Sequence, residues 1–218
     1  MTVPAVRERV LASLLNVSEE LASAVAADLG MDLPAPLPKA LPNPSSPEIT
    51  VSPALSLMAL PGERGIRTRK VAILIADGVE GASIAKLQEA LLEAGAVPRL
   101  VGPHLGTFAS TDGEALEADA SLENEPGFLF DALVLPDGDD AMETLEKNGH
   151  TMEFIKDQYR HCKTILALGA SSDLLMEAQI RPLLPSGEDD PGVIIGDAAE
   201  IDELAANFMA AMAKHRHF

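Results

Sequence analysis

The chain has 218 residues, 47% of them hydrophobic but only 3% aromatic, which suits a globular protein whose core is built from aliphatic side chains and Met. Its formal net charge of −18 argues against partnership with nucleic acid or with anionic membrane surfaces, since both reward Lys and Arg. A single Cys excludes an internal disulfide, and neither an apolar leader nor a run of about 18 apolar residues is present, so the sequence reads as cytoplasmic.

Residues 1–69 carry 6 basic and 7 acidic side chains, whereas residues 70–218 carry 10 and 27. The two portions read as different pieces of protein. Residues 1–30 predict two short helices. Val6, Val10, Leu14 and Leu11 stripe the first. Ser18 is placed to cap the second, Leu21, Val25 and Leu29 stripe it, and Gly30 stops it. Helices this short do not bury such stripes against each other alone, so they are expected to belong to a larger body. A helix that starts almost at Met1 is also what a cut fragment would show. Residues 31–69 read as a linker, with eight of the 16 prolines between 31 and 65. Proline at that density forbids helix and sheet. Within it Leu55, Leu57, Met58 and Leu60 form an apolar patch expected to dock on a neighbour.

From residue 70 to residue 218 strands alternate with helices. Val71–Ala76 is a short, uninterrupted apolar run that stops at Asp77-Gly78, which fits a strand buried on both faces. Ile84, Leu87 and Leu91 then recur at helical spacing up to Gly95, and Val97–Val101 closes a βαβ unit. Asp112-Gly113 sits between two short strands as a hairpin turn. Ala132–Leu135 and Thr164–Leu168 are further buried strands, and Val193–Ile195 is the last. Helices are expected near 140–147, near 151–161 with Met152, Ile155, Tyr159 and Cys162 on one face, through Leu175, and over 198–214 with Ile201, Leu204, Phe208 and Met212 as its stripe. The pattern predicts an α/β fold: an open, mostly parallel, doubly wound sheet covered on both faces.

Chemistry in such a fold is expected where strand ends converge. Here those ends are Asp77-Gly78-Val79-Glu80, Asp137-Gly138-Asp139-Asp140 and Gly169-Ala170-Ser171-Ser172. Asp77, Glu80 and Asp137 have two readings, as bases or ligand holders or as caps for free N–H groups. Ser171 and Ser172 have no base near them in sequence and read as caps. Cys162 falls at a helix end, a packing position rather than an elbow. Gly78-x-x-Gly81 lacks the third glycine of a phosphate cradle, and Ala141 breaks a calcium loop at Asp137. His150 and His161 are isolated, and His215 and His217 lie in the tail. No metal site is predicted.

The βαβ opening, the Leu133-Val-Leu-Pro-Asp-Gly turn and the Ala167-Leu-Gly-Ala strand end together resemble the class I glutamine-amidotransferase-like superfamily, a flavodoxin-like fold. They are most similar to the branch of the intracellular proteases and the Parkinson-associated chaperone/deglycase proteins. Enzymes of that branch carry Cys, then usually His and Gly, on the elbow after this strand. The triplet falls here on Leu168, Gly169 and Ala170, so the resemblance implies no catalytic residue and leaves Asp77, Glu80, Asp137, Gly138 and Ser171 as a vestigial pocket. Glu80 would correspond to the family's acidic partner.

Upstream, Arg7-Glu-Arg-Val-Leu through Leu15-Asn16-Val17, Glu20-Leu21-Ala22 and Val25-Ala26-x-x-Leu29-Gly30 resemble the end of the helical domain of haem catalases. In the large-subunit class a Pro-rich linker with a Ser-Pro-Ala-Leu-Ser element, like Ser52–Ser56, then leads into a flavodoxin-like domain. Lys70–Gly81 and Phe130-Asp-Ala-Leu-Val-Leu-Pro resemble that domain. The whole chain thus resembles the C-terminal third of a large-subunit catalase. The resemblance implies haem and hydrogen peroxide dismutation for the parent, but no cofactor and no enzyme activity for this chain, since the family's haem ligands lie upstream. Tyr159, in an ordinary helix, is not the haem-ligating Tyr. The implied partners are the catalase core domains and a homo-oligomer in the parent, with unfolded client proteins if the domain acts as a chaperone under oxidative stress. The competing expectation is a degenerate enzyme that binds a small molecule at the C-terminal edge of the sheet.

Overall fold

A computed structural model of the chain describes residues 3–39, 48–49, 51–55, 65–184 and 186–217. It separates into two units, Met1–Pro53 and Ala54–Phe218.

In the first unit, α1 (Pro4–Leu14) opens on Pro4, whose missing N–H costs nothing at a helix start. The Ser18 side chain accepts the Leu21 N–H at 3.2 Å and caps α2 (Glu19–Leu29). Gly30, at φ 61°, ends α2 in the left-handed conformation that glycine adopts freely. Of the expected stripes only Leu11 is fully buried. Leu11 and Ala12 are buried with Ala22 and Ala26, while Val6 and Leu21 remain 44% and 46% exposed. Alanines let two short helices approach closely, which leaves Val6 and Leu21 on the outside. The chain after α2 runs back over α1, where the Leu37 N–H donates to the Ala12 carbonyl and Asn16 Nδ2 to the Leu37 carbonyl. Leu55 ends a short 3-10 turn and is 86% exposed. The rest of its apolar patch, Leu57, Met58 and Leu60, lies outside the described residues.

The second unit is built on a six-stranded sheet in the order β5-β2-β1-β6-β7-β8. Its strands are β1 (Lys70–Leu74), β2 (Val97–Gly102), β5 (Ala120–Ser121), β6 (Ala132–Leu135), β7 (Thr164–Leu168) and β8 (Val193–Gly196). Every neighbouring pair is parallel. Consecutive residues of β1, β6 and β7 are buried without alternation, as strands covered on both faces must be. Covering them are α3 (Gly81–Glu93), α4 (Asp139–Glu146), α5 (Gly149–Arg160), α6 (Ser172–Glu177) and α7 (Ile201–Met212). The antiparallel hairpin of β3 (Thr107–Ala109) and β4 (Ala115–Glu117) forms a two-stranded sheet of its own and turns at Gly113. The expected α/β, doubly wound, flavodoxin-like architecture is what the chain forms.

Three details differ from the sequence reading. Edge strand β5 has two residues, too few for any periodicity to show. Helix α7 starts at Ile201 after a tighter turn over Ala198–Glu200, although its stripe is buried as expected. Helix α5 buries Thr151, Phe154, Ile155 and Gln158 rather than the face of Met152, Tyr159 and Cys162. Two contacts set that rotation: the Phe154 ring lies 5.5 Å from the Phe130 ring, and the Gln158 amide donates to the Gly127 and Phe130 carbonyls.

Candidate functional site

Strand β1 pairs with β2 on one side and β6 on the other, so the strand order reverses between β1 and β6. Doubly wound folds bind ligands in the crevice beyond that reversal. Here the two loops meet backbone to backbone. The Glu80 N–H donates to the Asp137 carbonyl at 2.8 Å. A Cβ on Gly138 would lie 2.4 Å from the Gly78 carbonyl oxygen, and one on Gly78 would lie 2.7 Å from the Asp140 Cβ. Only glycine at both positions lets the loops approach this closely, and φ angles of 85° and 134° suit no other residue.

Each acidic candidate is engaged at this edge. Asp77 Oδ1 accepts the Ala109 N–H at 2.8 Å, while the Gly78 and Thr111 N–H groups bond to the Ala109 and Val79 carbonyls, so the hairpin is clamped onto the β1 loop. Glu80 caps α3, accepting from the Ala82 N–H at 3.0 Å and the Ser83 N–H at 2.8 Å. Asp137 Oδ1 accepts from the Gly138 and Ala170 N–H groups at 2.8 and 2.9 Å. The Ser171 hydroxyl is fully buried between the Leu135 and Leu168 carbonyls and accepts the Leu168 N–H. The sequence brings all of these to one edge, where each accepts at least one backbone N–H.

At the elbow after β7, Gly169 adopts φ 52°, the left-handed conformation expected of a sharp strand-to-helix turn. The space a side chain would fill is occupied, because a Cβ on residue 169 would lie 2.3 Å from the Asp137 carboxyl carbon. Leu168 is buried. Ala170 lines a hollow of about 460 Å³ between α4 and α6, together with Asp139, Met142, Glu143, Asp173 and Glu177. None of Asp77, Glu80, Asp137, Gly138 or Ser171 lines it. The acidic walls were legible as helical spacing, but which helix faces meet was not. Lys147, one turn on from Glu143, holds the Glu143 carboxyl below its ordinary value.

Cys162, Tyr159, Lys163, Asp190 and His217 meet at the opposite, N-terminal edge of the sheet around a hollow of about 190 Å³. The His217 imidazole pairs with the Thr164 hydroxyl at 3.1 Å, and its backbone N–H donates to the Cys162 carbonyl. Lys163 is buried, and its ammonium donates to the Phe128 and Phe130 carbonyls. Burial, and then Asp190 and Cys162, push the Tyr159 phenol above its ordinary value. That is the wrong direction for a phenolate ligand, and the hollow is below the roughly 300–1,000 Å³ of ordinary ligand sites. These residues do not fit a haem. Among the described residues no group of three or more His, Cys, Asp or Glu is placed to hold a metal ion, and no helix is long and apolar enough to cross a membrane.

Residues 67–218 match the family model of the C-terminal domain found in long catalases. The chain is 37% identical over 222 residues to a catalase HPII of Mycobacterium avium, covering 98% of this chain and 30% of that protein. It is 36% identical over 204 residues to the catalase HPII of Pseudomonas putida, covering 93% and 26%. The chain therefore spans under a third of the length of these relatives. In fold it is similar to a two-domain protein with DJ-1/ThiJ/PfpI-like and ferritin-like domains from Anabaena variabilis, with a TM-score of 0.58 at 19% identity over 66% of this chain and 48% of that one. A mutant DJ-1 superfamily protein from Salmonella typhimurium gives a TM-score of 0.55 at 20% identity over 66% and 89%.

Proposed function

Because the chain belongs to the family of C-terminal domains found in long catalases, we propose that it is a non-catalytic domain that stabilises a larger haem catalase, whose core and homo-oligomer are its partners and whose reaction is hydrogen peroxide dismutation. One observation carries this reading: the loops beyond the switch point, where such a fold would hold a ligand, are tied to each other. Glu80 and Asp137 are bonded across the crevice, and the Asp137 carboxylate occupies the elbow space at Gly169. Those polar groups hold loops together, which is the work of a stabilising domain. The same ties weigh against the competing reading of a small-molecule binder using Asp77, Glu80 and Asp137.

A holdase-like role toward unfolded chains draws support from apolar side chains that stand exposed, Val6, Leu21 and Leu55 among them. The deciding experiment compares a long catalase carrying this segment with the same enzyme ended before Ile66. Equal initial peroxide turnover with faster thermal inactivation of the shortened enzyme is the expected result. Equal inactivation rates would remove the stabilising role. Light scattering of a heated client protein, with and without the 218-residue chain, tests the holdase role separately, and failure to suppress aggregation ends it.

A further inference from the structure

In a unit dominated by carboxylates, the N-terminal edge of the sheet gathers cations that have no carboxylate partner. Arg69 donates to the Met212 carbonyl, Lys163 to the Phe128 and Phe130 carbonyls, and Arg216 to the His215 carbonyl. Among the described residues none of the three forms an ion pair, and Arg67 makes neither an ion pair nor a hydrogen bond. Arg69 on the last carbonyls of α7 is ordinary helix capping. That leaves Arg67 and the remaining donors of the Arg69 fork unexplained. Both line a hollow of about 320 Å³ with Gly65, Thr68, Asp131 and His215.

Two further features mark this hollow. Thr68 and His215 lie at φ 67° and 73°, two of the four non-glycine residues in the left-handed region among the described residues. For a β-branched residue that conformation is a strained outlier, and here neighbouring bonds enforce it: the Thr68 N–H donates to the Gly95 carbonyl at 2.7 Å and the Arg69 N–H to the Ile66 carbonyl at 3.0 Å. Backbone strain of this kind concentrates at binding sites. Second, burial and then Arg216 and Arg69 hold the His215 imidazole below its ordinary value, so it stands neutral beside the guanidinium groups.

We propose that the Arg67–Arg69–His215 hollow binds a small carboxylate anion that carries a hydroxyl or ammonium donor beside its carboxylate. Planar guanidinium forks match a carboxylate bidentately. Asp131 gives one oxygen to the Lys70 N–H at 2.9 Å and offers the other to the ligand's donor. The same Asp131 charge disfavours a phosphate dianion. The volume suits a molecule of metabolite size. This site lies at the sheet edge opposite the filled crevice and is independent of the stabilising role.

The test is calorimetric titration of the 218-residue chain with lactate, with inorganic phosphate and sodium chloride as parallel arms, while the ring proton shifts of His215 are followed by NMR. Saturable lactate binding that shifts His215, and that weakens roughly tenfold or more in Arg67→Gln, is the expected result. Arg67→Lys keeps the charge but not the fork, and is expected to bind more weakly than the parent. Arg67 is exposed, so both variants should keep the parent amide spectrum, which is checked first. No saturable binding, binding unchanged in Arg67→Gln, or phosphate and chloride matching lactate would each overturn the proposal.

Discussion

Gly169 makes a sharp turn between β7 and α6 at a point that leaves no room for a side chain. Its φ of 52° disfavours any L side chain by about 1–2 kcal/mol, and the Asp137 carboxyl group stands where a Cβ would go. Gly169→Ala is therefore expected to destabilise the chain by about 2–4 kcal/mol, adding overpacking to backbone strain. A lowered urea midpoint with unchanged slope is the measurement, and a midpoint within error of the parent would remove the steric account. The turn itself is legible locally, in the Ala167-Leu-Gly-Ala end of the apolar run. That the Asp137 carboxyl group stands against Gly169 is not legible there, because residues 137 and 169 meet through the pairing of β6 with β7.

Elements with a complete local code were legible at their own scale. Helix α2 has a Ser cap and a Gly stop, α7 has an apolar stripe, and the hairpin has Asp-Gly, and each forms about where its residues predict. Helix α5 was misread because its buried face includes Thr151 and Gln158, polar residues whose placement depends on what α5 packs against. For α3 the cap is Glu80, an unusual choice that takes two backbone N–H groups at once. Glu80→Ala is expected to lower stability by about 1–2 kcal/mol, seen as a loss of helical signal at a lower temperature than the parent. Stability unchanged by this substitution would reopen Glu80 as a residue kept for another purpose.

At the scale of the whole chain, the titration of His217 has a predictable sign. Burial holds the His217 imidazole below its ordinary value, with Lys214 pressing the same way and the Ala211 backbone and Asp190 opposing. Unfolding therefore takes up a proton, so the full stability is present above about pH 6.5 and is lost as pH falls toward the lower folded value. The carboxylates of Asp112 and Glu143, lowered by Ser110 and Lys147, act in a separate, more acidic window. Urea midpoints measured from pH 7 to pH 5 should fall, and His217→Gln should flatten that fall. An equal slope in the variant would assign the effect elsewhere. The sequence by itself determined the layered α/β architecture, the two short helices before it and the family, because periodicity, turn chemistry and motif order are local and survive without coordinates. Only the tertiary structure decided that the switch-point loops are hydrogen-bonded to each other, that the Asp137 carboxyl group stands against Gly169, and that Arg67, Asp131 and His215 share one hollow. Those facts depend on side chains tens of residues apart meeting across a sheet, and no local pattern carries that distance.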